Sequence, residues 1–189
     1  GPAVIRTVSH RVAPDEARLF DFAQRLNKAK RPMLVFGPEV DRSGGWDVGV
    51  AFAEKVQAEV YGAPLPDRVS FPENHPLYRG GLPMTIAGAN EVMRGHDLVV
   101  VIGAQVFRYY PYVAGDYLPE GTELLQITSD PGLAGAAPVG ESILGDSRLA
   151  LEKLLDAVTD APDRAAPEPL ARKHTLPDIP NSPLTPPVR

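Results

Sequence analysis

Leu98-Val99-Val100-Val101-Ile102, opened by Gly95-His96-Asp97 and closed by Gly103, is the stretch on which the reading of this chain turns. A short, unbroken apolar run bounded by turn residues reads as a strand buried on both faces, the situation of a strand inside a parallel sheet. Working outward, Met33-Leu34-Val35-Phe36 has the same character and stops at Gly37-Pro38. Glu59-Val60-Tyr61, halted by Gly62, Glu123-Leu124-Leu125-Gln126-Ile127-Thr128, and Ser142-Ile143-Leu144 read as further strands.

Between these runs the apolar period changes to that of a helix. Pro14-Asp15-Glu16 marks a helix start, and Leu19, Phe22, Ala23 and Leu26 follow at i, i+3, i+4, i+7. A second helix is expected after Ser43-Gly44-Gly45, with Ser43 as its N-cap and Phe52, Ala53 and Val56 on its inner face. A third, over about 84–94, turns Ile86, Ala89 and Met93 inward. Ser129-Asp130-Pro131 begins a short turn or helix, and Asp146 caps a last helix faced by Leu151, Leu154, Leu155 and Val158. Residues 62–83 and 104–121 read as long loops. Buried strands alternating with amphipathic helices argue for an α/β fold, a mostly parallel sheet with helices on both faces.

The chain has 189 residues, enough for one domain with a proper core. Its organisation reads as a lead-in over 1–13, a folded domain over 14–159 and a Pro-rich linker over 160–189. The linker carries Pro162, Pro167, Pro169, Pro177, Pro180, Pro183, Pro186 and Pro187 with no apolar period, so it is expected to pack little and to lead towards another domain. Gly1-Pro2, with no initiator Met, reads as a processed start or an internal piece.

Composition narrows the function classes. A net charge of −5 gives no electrostatic case for nucleic acid or acidic membranes, and no apolar run approaches a membrane span. The absence of cysteine excludes disulfides, thiol catalysis and zinc–thiolate sites and fits a cytoplasmic protein. No G-x-G occurs, so the dinucleotide fingerprint is missing, and so is the G-x-x-x-x-G-K-[ST] phosphate loop. His10, His75, His96 and His174 are too scattered for a metal site.

Three segments remain. His75, before Pro76 in a loop, reads as structural rather than as a general acid–base. His96 precedes its strand and therefore lies at the wrong edge, because open parallel sheets bind ligands at the carboxyl ends of their strands. Phe107-Arg108-Tyr109-Tyr110-Pro111-Tyr112 follows the strand ending at Ile102, on the ligand side. It reads equally as a ligand-facing wall or as a contact surface for a neighbouring domain.

Gly37-Pro38-Glu39-Val40, His75-Pro76-Leu77-Tyr78-Arg79-Gly80, the run from Gly95 to Tyr109, Gly121-Thr122 and Thr128-Ser129-Asp130-Pro131 together resemble the central domain of thiamine-diphosphate-dependent decarboxylases of the benzoylformate decarboxylase type. The resemblance covers about residues 15–158. It implies a Rossmann-like, six-stranded sheet and a parent enzyme in which two other domains bind thiamine diphosphate and magnesium. This chain would then hold no cofactor itself and be inactive alone. The implied partners are those two cofactor-binding domains and, for the full enzyme, a homotetramer. The pattern carries a histidine directly after Phe-Arg-Tyr, at the position of Tyr110 here. Tyr110 is thus the candidate catalytic residue by position, with Phe107, Arg108 and Tyr109 on the substrate-side loop. A second reading is a central domain that binds FAD or ADP, as in acetohydroxyacid-synthase-like enzymes.

Overall fold

The computed structural model describes residues 7–9, 11–106, 114–159 and 164–170. Its frame is a six-stranded sheet of β1 (Pro32–Phe36), β2 (Glu59–Gly62), β3 (Tyr78–Gly81), β4 (Leu98–Ile102), β5 (Glu123–Thr128) and β6 (Glu141–Leu144) in the order β3-β2-β1-β4-β5-β6. Every neighbouring pair is parallel. This is the doubly wound order, with its topological switch point between β1 and β4.

The two apolar runs that suggest a sheet occupy its centre, and all five residues of each strand are buried. Period-two alternation divides them between two cores. Leu34, Phe36, Val100 and Ile102 face a larger core with α1 (Glu16–Lys28), α3 (Trp46–Val56) and α6 (Ser147–Ala157). Met33, Val35, Val99 and Val101 face a smaller one that includes Ala89 and Met93 of α4 (Ile86–Met93). Helices therefore cover both faces, and the α/β expectation holds.

Local capping explains where these helices begin. Asp15 accepts from the Arg18 amide, Thr85 from the Gly88 amide and Asp146 from the Leu149 amide. Such caps satisfy donors that have no partner within the helix. The N-cap expected at Ser43 is a correction. The chain first makes a short helix α2 (Pro38–Arg42), and Ser43 ends it, its hydroxyl donating to the Val40 carbonyl at 3.0 Å. Helix α3 then starts at Gly45 without a side-chain cap. Gly37-Pro38 does more than stop β1: Pro is favourable at the first position of a helix, and it opens α2.

Strand β3 lies inside the segment read as a loop. Tyr78-Arg79-Gly80-Gly81 is too short and too glycine-rich to register as a strand, and it sits at the sheet edge, pairing with β2 through an irregular register. Residues 164–170 contain no helix or strand, as their composition implies. They nevertheless touch the domain. Arg164 donates to the Leu26 and Ala29 carbonyls at 2.7 and 2.6 Å, and the Leu170 amide donates to the Pro76 carbonyl. Composition reports apolar burial, and these anchors are polar.

Candidate functional site

The carboxyl ends of β1 and β4 separate the two halves of the sheet, and a cleft of about 390 Å³ opens there. Glu39, Arg42, Leu65, Asp67, Gln105 and Leu133 are among its lining residues. Two glycines bring the turns beneath it together. Gly37 follows β1, and a Cβ added there would lie 2.3 Å from the Ala104 Cβ and 2.4 Å from the Gly103 carbonyl oxygen. Gly103 follows β4 with φ +70°, the left-handed region that glycine adopts without strain. The two turns can therefore touch, and the Gly37 amide donates to the Ile102 carbonyl at 2.9 Å and the Glu39 amide to the Gly103 carbonyl at 3.1 Å.

Those bonds bear on the nucleotide reading. A dinucleotide phosphate at a switch point uses free amides at a helix start. In α2, Pro38 has no amide proton, Glu39 donates to Gly103 and Val40 to Gly37. At α5 (Pro131–Gly135), Asp130 accepts from the Gly132 and Leu133 amides. Asp146 does the same at α6 for Leu149. Glu39 places a carboxylate at the start of α2. One of its oxygens accepts from the Thr128 hydroxyl at 2.7 Å, the other from the Ser129 amide and hydroxyl at 2.8 and 3.0 Å. These amides are engaged by the protein's own hydrogen bonding, and Glu39 works as a clasp from α2 across to the end of β5.

A second polar anchor sits in the sheet. Gln126 is fully buried in β5, donates to the Ala104 carbonyl at 2.9 Å and accepts from the Ser142 hydroxyl at 2.6 Å. It fixes the first residues after β4, from which the chain runs through buried Val106 towards residue 107. Sequence reasoning misses both Glu39 and Gln126. Gln126 carries a signal, being the one polar residue inside an otherwise apolar strand, whereas Glu39 looks like an ordinary acid in a helix first turn. The expected site residues Phe107, Arg108, Tyr109 and Tyr110 lie outside the described residues.

The two described histidines are structural. His75 accepts from the Leu77 amide and its other ring nitrogen is 3.2 Å from a Glu54 oxygen, so it pins its own loop. Gly95-His96-Asp97 stitches β4 to β1 at the amino edge. Gly95 takes φ +84°, His96 Nδ1 donates to the Arg31 carbonyl at 3.1 Å, and Asp97 accepts from the Lys30 and Arg31 amides. His96 Nε2 lies 3.5 Å from Glu59.

Burial pulls the pKa of His96 below its ordinary 6.5, outweighing the Arg31 carbonyl bond and the nearby Glu59, which push it up. The unfolded chain therefore binds the extra proton first as pH falls, and folding stability is full above about pH 6.5 and declines below it. We expect urea-unfolding stability to fall by at most about 1.4 kcal/mol per pH unit from this group. His96→Gln should flatten that slope. An unchanged slope between about pH 6.5 and 5 would assign the dependence elsewhere.

Residues 19–154 match the family model described as thiamine pyrophosphate enzyme, central domain. The chain belongs to this family. Over 171 residues the central domain is 43% identical to benzoylformate decarboxylase of Pseudomonas aeruginosa, covering 90% of this chain and 32% of that protein. A putative thiamin diphosphate-dependent enzyme from Mycobacterium smegmatis superposes with a TM-score of 0.85 at 60% identity, over 92% of this chain and 34% of that one. The thiamine diphosphate-dependent 4-hydroxybenzoylformate decarboxylase of Rhodococcus jostii gives 0.82 at 40% identity, over 88% of this chain and 32% of that one. The central domain thus spans about a third of the length of these relatives.

The family implies a cofactor, and the residues of the central domain offer it little. Among the described residues no group of three His, Cys, Asp or Glu side chains could hold a metal ion. The Glu39, Val40, Gly132, Leu133 and Leu149 amides at the carboxyl-edge helix starts are engaged within the domain. These residues do not fit the diphosphate–metal end of thiamine diphosphate. Among the described residues no helix is long and apolar enough to cross a membrane.

Proposed function

We propose that this chain is the central domain of a thiamine-diphosphate-dependent 2-oxo-acid decarboxylase acting on an aryl substrate of the benzoylformate class. The observation that carries the reading is the 43% identity to a benzoylformate decarboxylase across 90% of the chain. In this reading the domain supplies structure and one wall of the active site. Two flanking domains hold the cofactor and magnesium, in a cytoplasmic homotetramer. When bound, the cofactor supplies the nucleophile and electron sink for loss of carbon dioxide. The self-capped carboxyl edge supports this reading over the FAD- or ADP-binding one.

The loop 107–112 follows β4 in the chain, on the side where doubly wound sheets present ligands. We assign Tyr110 to the substrate wall as a hydrogen-bonding group. A phenol ordinarily loses its proton only at about pH 10, so it is a poor proton shuttle at neutral pH. In the complete enzyme, Tyr110→Phe should cost about 1–3 kcal/mol of transition-state stabilisation, read as kcat/KM. Tyr110→His should move the pH–rate profile towards neutrality. Kinetics indifferent to both changes would remove Tyr110 from the site.

A further inference from the structure

Residues 164–170 cross the amino edge of the sheet, opposite the edge that carries the candidate site. They are held from two sides. Arg164 reaches from the segment into the carboxyl end of α1, where its two terminal nitrogens take the Leu26 and Ala29 carbonyls. A cation there meets unpaired carbonyls and the negative end of the helix dipole. Arg79 reaches from β3 in the opposite direction, donating to the Glu168 carbonyl at 2.7 Å and to the Pro76 carbonyl at 2.8 Å.

Arg79 is itself held. Its side chain is only 9% exposed and its Nε lies 3.4 Å from Glu59, the same carboxylate that faces His96. Upstream, the Thr159 amide donates to Asn27 Oδ1 at 3.0 Å, so the chain leaving α6 already runs beside the end of α1. Downstream, the Leu170 amide closes on the Pro76 carbonyl at 3.1 Å. The segment arches over a cleft of about 380 Å³ that includes Arg31, Gln57 and Glu59. Its own side chains are largely exposed, so apolar burial does not hold it.

We propose that the amino edge of this domain is a docking surface for the chain's own segment 164–170, and that Arg164 and Arg79 form a two-point latch setting the direction in which the chain leaves the domain. The segment is then a strap rather than a free tether, and whatever follows Leu170 starts from a fixed place beside β3. This rests on the proposed reading only in taking a further domain to follow. The latch can be tested without reference to decarboxylation.

The test is limited trypsin digestion of the 189-residue chain, with the cut after Arg164 followed by mass spectrometry. In the latched state Arg164 is held away from the protease. Arg79→Met removes the second clamp and leaves the cleavage site intact. Losing hydrogen bonds of a charged group should speed that cut by about tenfold or more. The unfolding midpoint serves as a check that the sheet survives. Should Arg79→Met fail to fold, Arg164→Met provides the second arm, read as loss of exchange protection at the Leu170 amide. Cleavage of the native chain after Arg164 as fast as in denaturant would overturn the latch. So would a Leu170 amide that exchanges equally in the native chain and in Arg164→Met.

Discussion

Gly37→Ala should cost about 3–5 kcal/mol of folding stability, a large share of the roughly 5–15 kcal/mol typical of a domain. The added methyl meets the Ala104 Cβ at 2.3 Å, the Gly103 carbonyl oxygen at 2.4 Å and the Ala104 Cα at 2.9 Å. Two of these three atoms are backbone, so no rotamer change relieves the clash. Either the turn after β1 or the turn after β4 must move. Moving either strains the Gly37–Ile102 and Glu39–Gly103 bonds, each worth about 1 kcal/mol, on top of an overpacking cost of roughly 1–3 kcal/mol. The measurement is the urea midpoint. Gly81→Ala is the control, because a methyl at Gly81 meets nothing within 4 Å, and it should change stability by about 0.5 kcal/mol or less. A Gly37→Ala midpoint as close to the native one as the control's would mean that the two turns do not touch as described.

The same two turns show how much the sequence discloses. Strands β1 and β4 are legible because burial on both faces leaves an unbroken apolar run, and α1 and α6 because burial on one face leaves a helical period. The edge strand β3 is not, since Arg79, Gly80 and Gly81 carry no apolar pattern and its pairing with β2 comes from the tertiary arrangement. The ligand-side edge can be placed from the alternation of strands and helices. Its chemistry cannot, because it depends on which atoms take the amides of α2. Glu39 bonds residues about 90 positions away, a contact no local pattern encodes. The strap over 164–170 escapes for a related reason. A Pro-rich composition predicts little apolar burial and is silent about two arginines finding carbonyls across the chain.

The site itself is legible only through the family pattern. The assignment of Tyr110 rests on its position after Phe107-Arg108-Tyr109. The described residues show only the ground from which that loop starts. Glu39 ties α2 to Thr128 and Ser129, and Gln126 donates to the Ala104 carbonyl just after β4.

The second large effect expected is catalytic silence of this domain alone. Thiamine chemistry needs a carboxylate to activate the cofactor and a metal to anchor its diphosphate, the roles that the family resemblance gives to the two flanking domains. Among the described residues, no group of three His, Cys, Asp or Glu side chains could hold a metal, and the Glu39, Val40, Gly132, Leu133 and Leu149 amides are engaged within the domain. The most direct test of the account is carbon dioxide release by the purified, folded 189-residue chain with benzoylformate, thiamine diphosphate and magnesium. Release indistinguishable from the cofactor-and-buffer background is expected at every protein concentration. Turnover that rises in proportion to the amount of pure chain would contradict it.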